Sequence, residues 1–365
     1  MERPFYLDLD LPLWYAWVQK HNLPKFIAKQ IFDWVLKGEN DPCCFSNIPK
    51  NVRDLLSLEY DWDLPKIDTA LKSFDGSTKF LLTLKDQKVI EMVLMPSLDR
   101  VTLCVSSQVG CRMNCSFCQT AKMGLARNMS AGEILAQIVI ANRQLKEIKV
   151  TNVVFMGMGE PLDNLAPLIH ALKVMTDPCG FGLSKHRVTV STSGLIPEIK
   201  LLANEIAVSL AISFHTPFEE ERSQLMPVNR KYPLEDLKKA LLEYPIQTRH
   251  GITLEYVMIK GKNDSLRHAK ALVKFAHGLK VKVNLIPLNP HPGSPMEPAL
   301  EENLKAFQSY LEERSISAPV RYSRGQDVSG ACGQLAVKRQ DELTQDPRVL
   351  WQKRRHDARN LKTQS

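Results

Sequence analysis

Apolar residues in the first seventy positions recur at helical spacing, then give way to strand-like runs, and finally to an alternation of the two. After Pro24, which a first helical turn tolerates, Ile27, Ile31, Trp34 and Val35 form one apolar stripe. Asn47-Ile48-Pro49 marks a turn, and a second helical stretch follows from Val52 to Leu58. Residues 1–75 are therefore expected to form a helical accessory domain. Over 76–97, the runs Thr78 to Leu84 and Val89 to Met95 flank the polar pair Asp86-Gln87, which predicts a β-hairpin extension. From Val101 the pattern becomes strand-then-helix. Strands are expected at 101–106, 151–157, 187–193, 206–214, 252–259, 281–287 and 319–323. Helices are expected at 130–146, 164–176, 234–243, 264–278 and 300–314, the first with a capping box of Ser130 and Glu133. Such alternation predicts an α/β domain over 98–335 on a parallel sheet, open or closed as a barrel. Its chemistry belongs at the carboxyl ends of the strands, where the loops converge.

Composition adds little to this picture and excludes some of its competitors. The 365 residues suit one large core plus an accessory module. No apolar run approaches the roughly 20 residues of a membrane span. The first thirty residues, with Glu2, Asp8 and Asp10, lack the order of a secretory signal. A cytoplasmic protein without membrane association is expected, so its eight cysteines are read as metal ligands or reactive thiols rather than a disulfide framework. A formal charge of +8 makes an anionic partner plausible. Part of that charge lies in a basic tail over 336–365, read either as a solvated tail or as an RNA-contacting arm.

The strongest motif is Cys111-Arg-Met-Asn-Cys115-Ser-Phe-Cys118. C-x3-C-x2-C lets three thiolates of one loop converge on a single small object. A 4Fe–4S cluster ordinarily takes four cysteines, so three local ligands leave one iron open to a small molecule. The alternative is a structural zinc, which would want a fourth close ligand; no His or Cys follows within fifty residues. Further candidates sit at expected carboxyl ends of strands: Gly159 and Glu160 in Met156-Gly-Met-Gly-Glu-Pro161, Ser191 in Ser191-Thr-Ser-Gly194, Ser213-Phe214-His215, and Asn289-Pro290. Glycine permits close backbone approach, and a glutamate accepts from an ammonium group. Individually these are common turn residues. Cys104 precedes the triplet by seven residues, and Cys332 lies among small residues in Gly330-Ala-Cys-Gly333. If the strands at 101–106 and 319–323 are neighbours, both thiols face one cavity; otherwise they are buried cysteines packing as small hydrophobes.

The triplet, following a strand and preceding a helix, resembles the radical S-adenosylmethionine superfamily, and Phe117 fits its usual aromatic. The run TLCVSSQVGCRMNCSFC, then NVVFMGMGEP, FGLSKHRVTVSTSG, EYVMIKGKND, NLIPLNP and ACGQL, is similar in order and spacing to the RlmN/Cfr family of RNA adenine methyltransferases over about residues 20 to 340. The resemblance implies a partial (β/α)6 radical SAM barrel. It implies a 4Fe–4S cluster on Cys111, Cys115 and Cys118, and two molecules of S-adenosylmethionine per turnover. Gly159, Glu160, Ser191, Ser213, Phe214, His215 and Asn289 would contact that cofactor. It also implies an S-methyl group and a substrate crosslink on Cys332, resolution by Cys104 through a transient disulfide, and Glu91 as general base. The implied substrates are large-subunit ribosomal RNA at the peptidyl transferase region and adenosine 37 of tRNAs, with a monomeric enzyme and an electron donor such as flavodoxin. NLIPLNP resembles the carbon-2 branch, whereas PFEEERSQLMP resembles the carbon-8, antibiotic-resistance branch; carbon 2 is favoured. The segment Gln326 to Ala331 is less acidic than usual, and Phe214 stands where Leu is common.

Overall fold

A computed structural model of the protein describes residues 3–145, 148–246, 251–290 and 294–335. The basic tail expected over 336–365 lies outside the described residues. Three helices open the chain: α1 (Leu11–Lys20), α2 (Phe26–Lys37) and α3 (Lys50–Glu59). The predicted stripe buries Ile27, Ile31 and Val35, and a left-handed Gly38 ends α2 at a φ of 87°. The accessory region is not helical throughout. Its last residues form β1 (Lys66–Lys72), which pairs antiparallel with β2 (Thr78–Thr83). β2 and β3 (Val89–Ser97) form the expected hairpin, with Gln87 in the left-handed region at its turn.

β3 joins β4 (Arg100–Cys104) antiparallel, placing Val93 opposite Cys104. A short ribbon of β5 (Gln108–Gly110) and β6 (Leu125–Asn128) follows, with α4 (Gln119–Lys122) between its strands. The strand–helix alternation then runs α5 (Ala131–Gln144), β7 (Asn152–Phe155), α6 (Leu165–Thr176), β8 (Val188–Thr192), α7 (Ile196–Glu205) and β9 (Ser209–Ser213). It continues through α8 (Glu219–Leu225), α9 (Leu234–Glu243), β10 (Ile252–Met258), α10 (Leu266–Ala276), β11 (Val281–Pro287) and α11 (Glu301–Glu312). α5 carries the predicted capping box: Ser130 Oγ accepts from Glu133 N at 3.2 Å, and Glu133 accepts from Ser130 N at 2.9 Å.

Among the described residues the main sheet runs β1-β2-β3-β4-β7-β8-β9-β10-β11, and β4 to β11 along that order pair parallel. Six parallel strands with helices outside make a partial barrel whose sheet stays open between β11 and β1. The expected strand at 319–323 is only a parallel bridge between Leu285 and Val320. Cys104 and Cys332 are therefore not carried by neighbouring strands. β10 is buried along its whole length, as a strand covered on both faces should be. No described helix is long and apolar enough to cross a membrane.

Candidate active site

The cysteine loop leaves the carboxyl end of β4 and is held on three sides. At its base, Cys111 N donates to Gly124 O at 2.9 Å, closing the β5–β6 ribbon. That closure requires glycine at 110, where φ is 82° and a Cβ would sit 1.9 Å from Gly124 O. On one flank Arg112 pairs with Asp163, which also accepts from Gln108 Nε2 at 2.9 Å. On the other, Ser116 N donates to Leu225 O at the end of α8 at 2.9 Å. Cys111, Cys115 and Cys118 all line one cavity.

The three thiols are pushed up in pKa. Burial raises Cys111 to about 12, and it raises Cys115 before the charges of Cys118 and Cys111 add to it. Thiols this close raise one another, with only the Arg222 guanidinium pulling Cys115 the other way, and cluster irons would hold all three as thiolates. Among the described residues, no three of the Cys, His, Asp and Glu side chains are grouped as ligands of one ion. In a cubane each thiolate binds a different iron, so the thiolate-only donor set suits a cluster.

Gly159, Glu160, Ser191, Ser213, His215 and Asn289 line the same cavity, as expected. Glu160 is buried. Its Oε1 accepts from Leu162 N at 3.2 Å and its Oε2 from Ser193 N at 2.8 Å. Burial raises its pKa although these amides pull it down. It has no ion pair among the described residues, so a ligand ammonium group fits it. His215 adopts φ 62°, a strained conformation for a residue with a side chain. Its Nδ1 accepts from Val257 N at 3.1 Å, and burial drives its pKa down to about 3, so the ring is neutral. Phe117 packs edge-on against it, with centroids 4.7 Å apart.

The structure adds protein contacts at two of these positions, Gly159 and Asn289, and places Phe214 and Glu91 away from the cavity. The missing side chains of the Gly157 and Gly159 turn make room for protein as well as ligand: a Cβ on Gly157 would meet Val105 O at 2.6 Å, and one on Gly159 would meet Gln108 Cβ at 2.7 Å. Phe214 does not line the cavity with its neighbours. Strand alternation sends its ring behind the sheet, 4.5 Å from Phe275. Asn289 already has protein partners, donating to Ser323 Oγ at 2.9 Å and to Cys332 O at 3.1 Å. Glu91 is fully buried in β3 and paired with Lys79 at 3.0 Å, and it lines neither this cavity nor the next one.

The sequence reading missed Arg222. It is buried in α8, and its guanidinium donates to Phe214 O, Ser193 O, Ser213 O and Asn229 Oδ1 at 2.8–3.2 Å, tying together the carboxyl ends of β8 and β9. Its position one turn before Leu225 on the inward stripe of α8 was the available signal.

Cys104 is buried, and it shares a second cavity with Cys332. Cys332 opens onto both cavities. Its surface is free because it faces these spaces, with protein all around. Its loop is pinned by Asn289, by Gln119 N donating to Gly333 O at 2.8 Å, and by Thr120 Oγ1 donating to Leu335 O at 2.7 Å. A triplet on one cavity and a thiol pair on the adjoining one require more than a metal-binding fold. The Radical SAM superfamily model matches residues 105–273. The chain is 44% identical over 335 residues to "Dual-specificity RNA methyltransferase RlmN" of Syntrophobacter fumaroxidans, covering 91% of this chain and 97% of that protein.

The chain belongs to the RlmN family of radical SAM methyltransferases.

A second RlmN relative, from Campylobacter curvus, is 45% identical over 337 residues, covering 87% of this chain and 90% of its own length. A radical SAM methyltransferase from Sphaerobacter thermophilus superposes with a TM-score of 0.87 at 40% identity, over 92% of this chain and all of that one. As a radical SAM enzyme of the RlmN family, the protein uses a 4Fe–4S cluster and S-adenosylmethionine.

Proposed function

We propose that this protein methylates carbon 2 of an adenosine in large-subunit ribosomal RNA, at the peptidyl transferase region, and of adenosine 37 in tRNAs. The observation that carries the reading is the position of Cys332, which lines both the cluster cavity and the cavity that holds Cys104. The RlmN relatives, named dual-specificity RNA methyltransferases, support RNA as the substrate class.

In this reading Cys111, Cys115 and Cys118 hold the cluster, and Glu160 receives the ammonium group of S-adenosylmethionine. When bound, these cofactors supply a 5′-deoxyadenosyl radical. Carbon 2 of adenine is electrophilic and cannot attack a methylsulfonium. Cys332 takes that part: its thiolate displaces a methyl group from one S-adenosylmethionine, and a second molecule of the cofactor is consumed in activating the S-methyl carbon. Cys332 then bonds through that carbon to the adenine, and the adduct gives up the carbon-2 proton to a base and its unpaired electron to the bound cofactors. Glu91, the base the resemblance implies, is paired with Lys79 and faces neither cavity, so reaching carbon 2 would require that pair to open. The Cys104 thiolate attacks the Cys332 sulfur, the bond from that sulfur to the transferred carbon breaks as the disulfide forms, and the carbon takes up a proton to leave methylated RNA. An electron donor such as flavodoxin reduces the cluster.

The test is a Cys104→Ala variant expressed in cells. Protein digested with nuclease should carry a nucleotide mass on the Cys332 peptide, because the resolving thiol is gone. An unmodified Cys332 peptide from well-folded, cluster-loaded variant would overturn the scheme. Mass spectrometry of RNA from a deletion strain separates carbon 2 from carbon 8, and loss of an 8-methyl product would move the enzyme to the other branch.

A further inference from the structure

The cavity that holds Cys104 and Cys332 continues down the inside of the barrel to the amino ends of the strands, the mouth opposite the cysteine loop. Arg100 begins β4, Arg187 immediately precedes β8, and Lys282 is the second residue of β11. Arg321 stands beside Leu285, whose carbonyl accepts from its backbone N–H at 2.7 Å. All four line the cavity, and the three arginines are exposed. Among the described residues, none of the four is in an ion pair. Arg324 also lines the space but is committed to Pro96 O and to Asp75. Glu255 is the one acidic side chain on the described lining, and it lies deeper, where it also borders the cluster cavity.

The four cations outnumber Glu255, the one acidic side chain on the described lining, and low-dielectric walls focus their net field outward. Burial lowers the Lys282 ammonium, Glu255 draws it back up, and Arg321 and Arg100 press it down again. Tyr322 stands on the same lining, 60% exposed, and offers an aromatic face among the cations. Cations that track phosphates, with an aromatic that stacks a base, form the usual grip on single-stranded RNA.

We propose that this amino-end mouth is the RNA entry: phosphates flanking the target adenosine bind Arg100, Arg187, Lys282 and Arg321, and the adenine passes up the barrel to Cys332. The proposal rests on the reading of RNA as substrate. An acidic protein electron donor would fit the same charge, but electrons must reach the cysteine loop at the opposite end.

The experiment measures binding of an unmodified tRNA transcript, with adenosine at position 37, across a salt series. Arg100→Gln, Arg187→Gln and Arg321→Gln should each weaken binding several-fold and lower the slope of log Kd against log salt by about 1. Arg187→Lys should keep the wild-type slope, as should Lys270→Gln, which lies on the outer helix α10. Wild-type slopes in all three Gln variants would overturn the proposal while leaving the RNA reading intact. Slower reduction by a flavodoxin with unchanged RNA binding would overturn it in favour of a reductase dock. A wild-type enzyme that neither binds nor methylates this transcript or a ribosomal RNA fragment would instead remove the reading beneath it.

Discussion

The proposed reaction makes two chemical demands of Cys332. It would act as a thiolate toward a methyl group, and its sulfur would later accept attack from a second thiol. Its surroundings do not favour the first demand. Burial, and then the carboxylate of Glu255, push its thiol up to about 11, so at neutral pH it is almost entirely protonated. The thiolate fraction therefore rises about tenfold per pH unit until the pH approaches that value. In reduced protein whose Cys332 peptide shows no methyl mass, iodoacetamide should alkylate this residue faster as pH increases, without levelling off below about pH 10. Glu255→Gln removes the second cause and should move the profile to lower pH. A plateau near pH 8.5, the region of a free cysteine, would contradict the raised value. Cys104 is raised further by burial and by Cys332 itself, so its peptide should lag at every pH.

Among the elements, the turn after β7 couples the cofactor side of the barrel to the loop that delivers the cysteines. Gly157 N donates to Val105 O at 3.0 Å, and a Cβ on Gly157 would sit 2.6 Å from that same carbonyl oxygen. The obstacle is backbone and cannot swing aside. Gly157→Ala should cost about 1–3 kcal/mol in urea unfolding, as overpacking does. It should also lower iron content, because the chain from Val105 to Gly110 sets where Cys111 begins. Unchanged stability would mean that the turn relaxes more freely than its contacts suggest. The elements also show what could be read from the chain and what could not. The cysteine loop, the hairpin, the α5 cap and the parallel alternation were legible because each depends on local spacing. β1 was not: Lys66–Lys72 is mostly exposed and shows no clean apolar alternation. The segment 319–323 failed for the opposite reason, having strand composition but making only one bridge. At the site, period two already implied that Phe214 would point away from Ser213 and His215. The Lys79 partner of Glu91 depends on the β2–β3 register, and the partners of Asn289 come from a loop thirty-four or more residues away; local spacing carries neither.

At the scale of the whole molecule, the open side of the sheet determines how Cys332 reaches the centre. No strand carries it there; the chain from Ser323 to Leu335 is instead fastened to the hairpin end of the sheet. Asp75, in the β1–β2 turn, accepts from Gly325 N at 2.8 Å and pairs with Arg324. Asp327 returns the contact, accepting from Ser73 Oγ at 2.5 Å and Phe74 N at 3.3 Å. Arg324 also donates to Pro96 O at 2.7 Å, anchoring the clamp to the end of β3. Burial alone would raise Asp75, but the Ser77 hydroxyl and amide, Gly325 N and Arg324 lower it below the ordinary aspartate value. A depressed folded pKa means that the contribution is fully present above the unfolded value, about 3.9, and is lost only as pH falls through the lowered one. The clamp should therefore hold unchanged from neutral pH down to about 4 and loosen only in stronger acid. Asp75→Asn at neutral pH should reproduce the acid effect, raising hydrogen exchange over residues 325–334 while the amides of β8, β9 and β10 keep their protection. Because the proposed reaction needs Cys332 at both cavities, the same variant should incorporate less methyl group at Cys332 for a given iron content. Faster exchange spread evenly across the barrel strands would show that Asp75 supports global stability, and the separate role assigned to the clamp would fall.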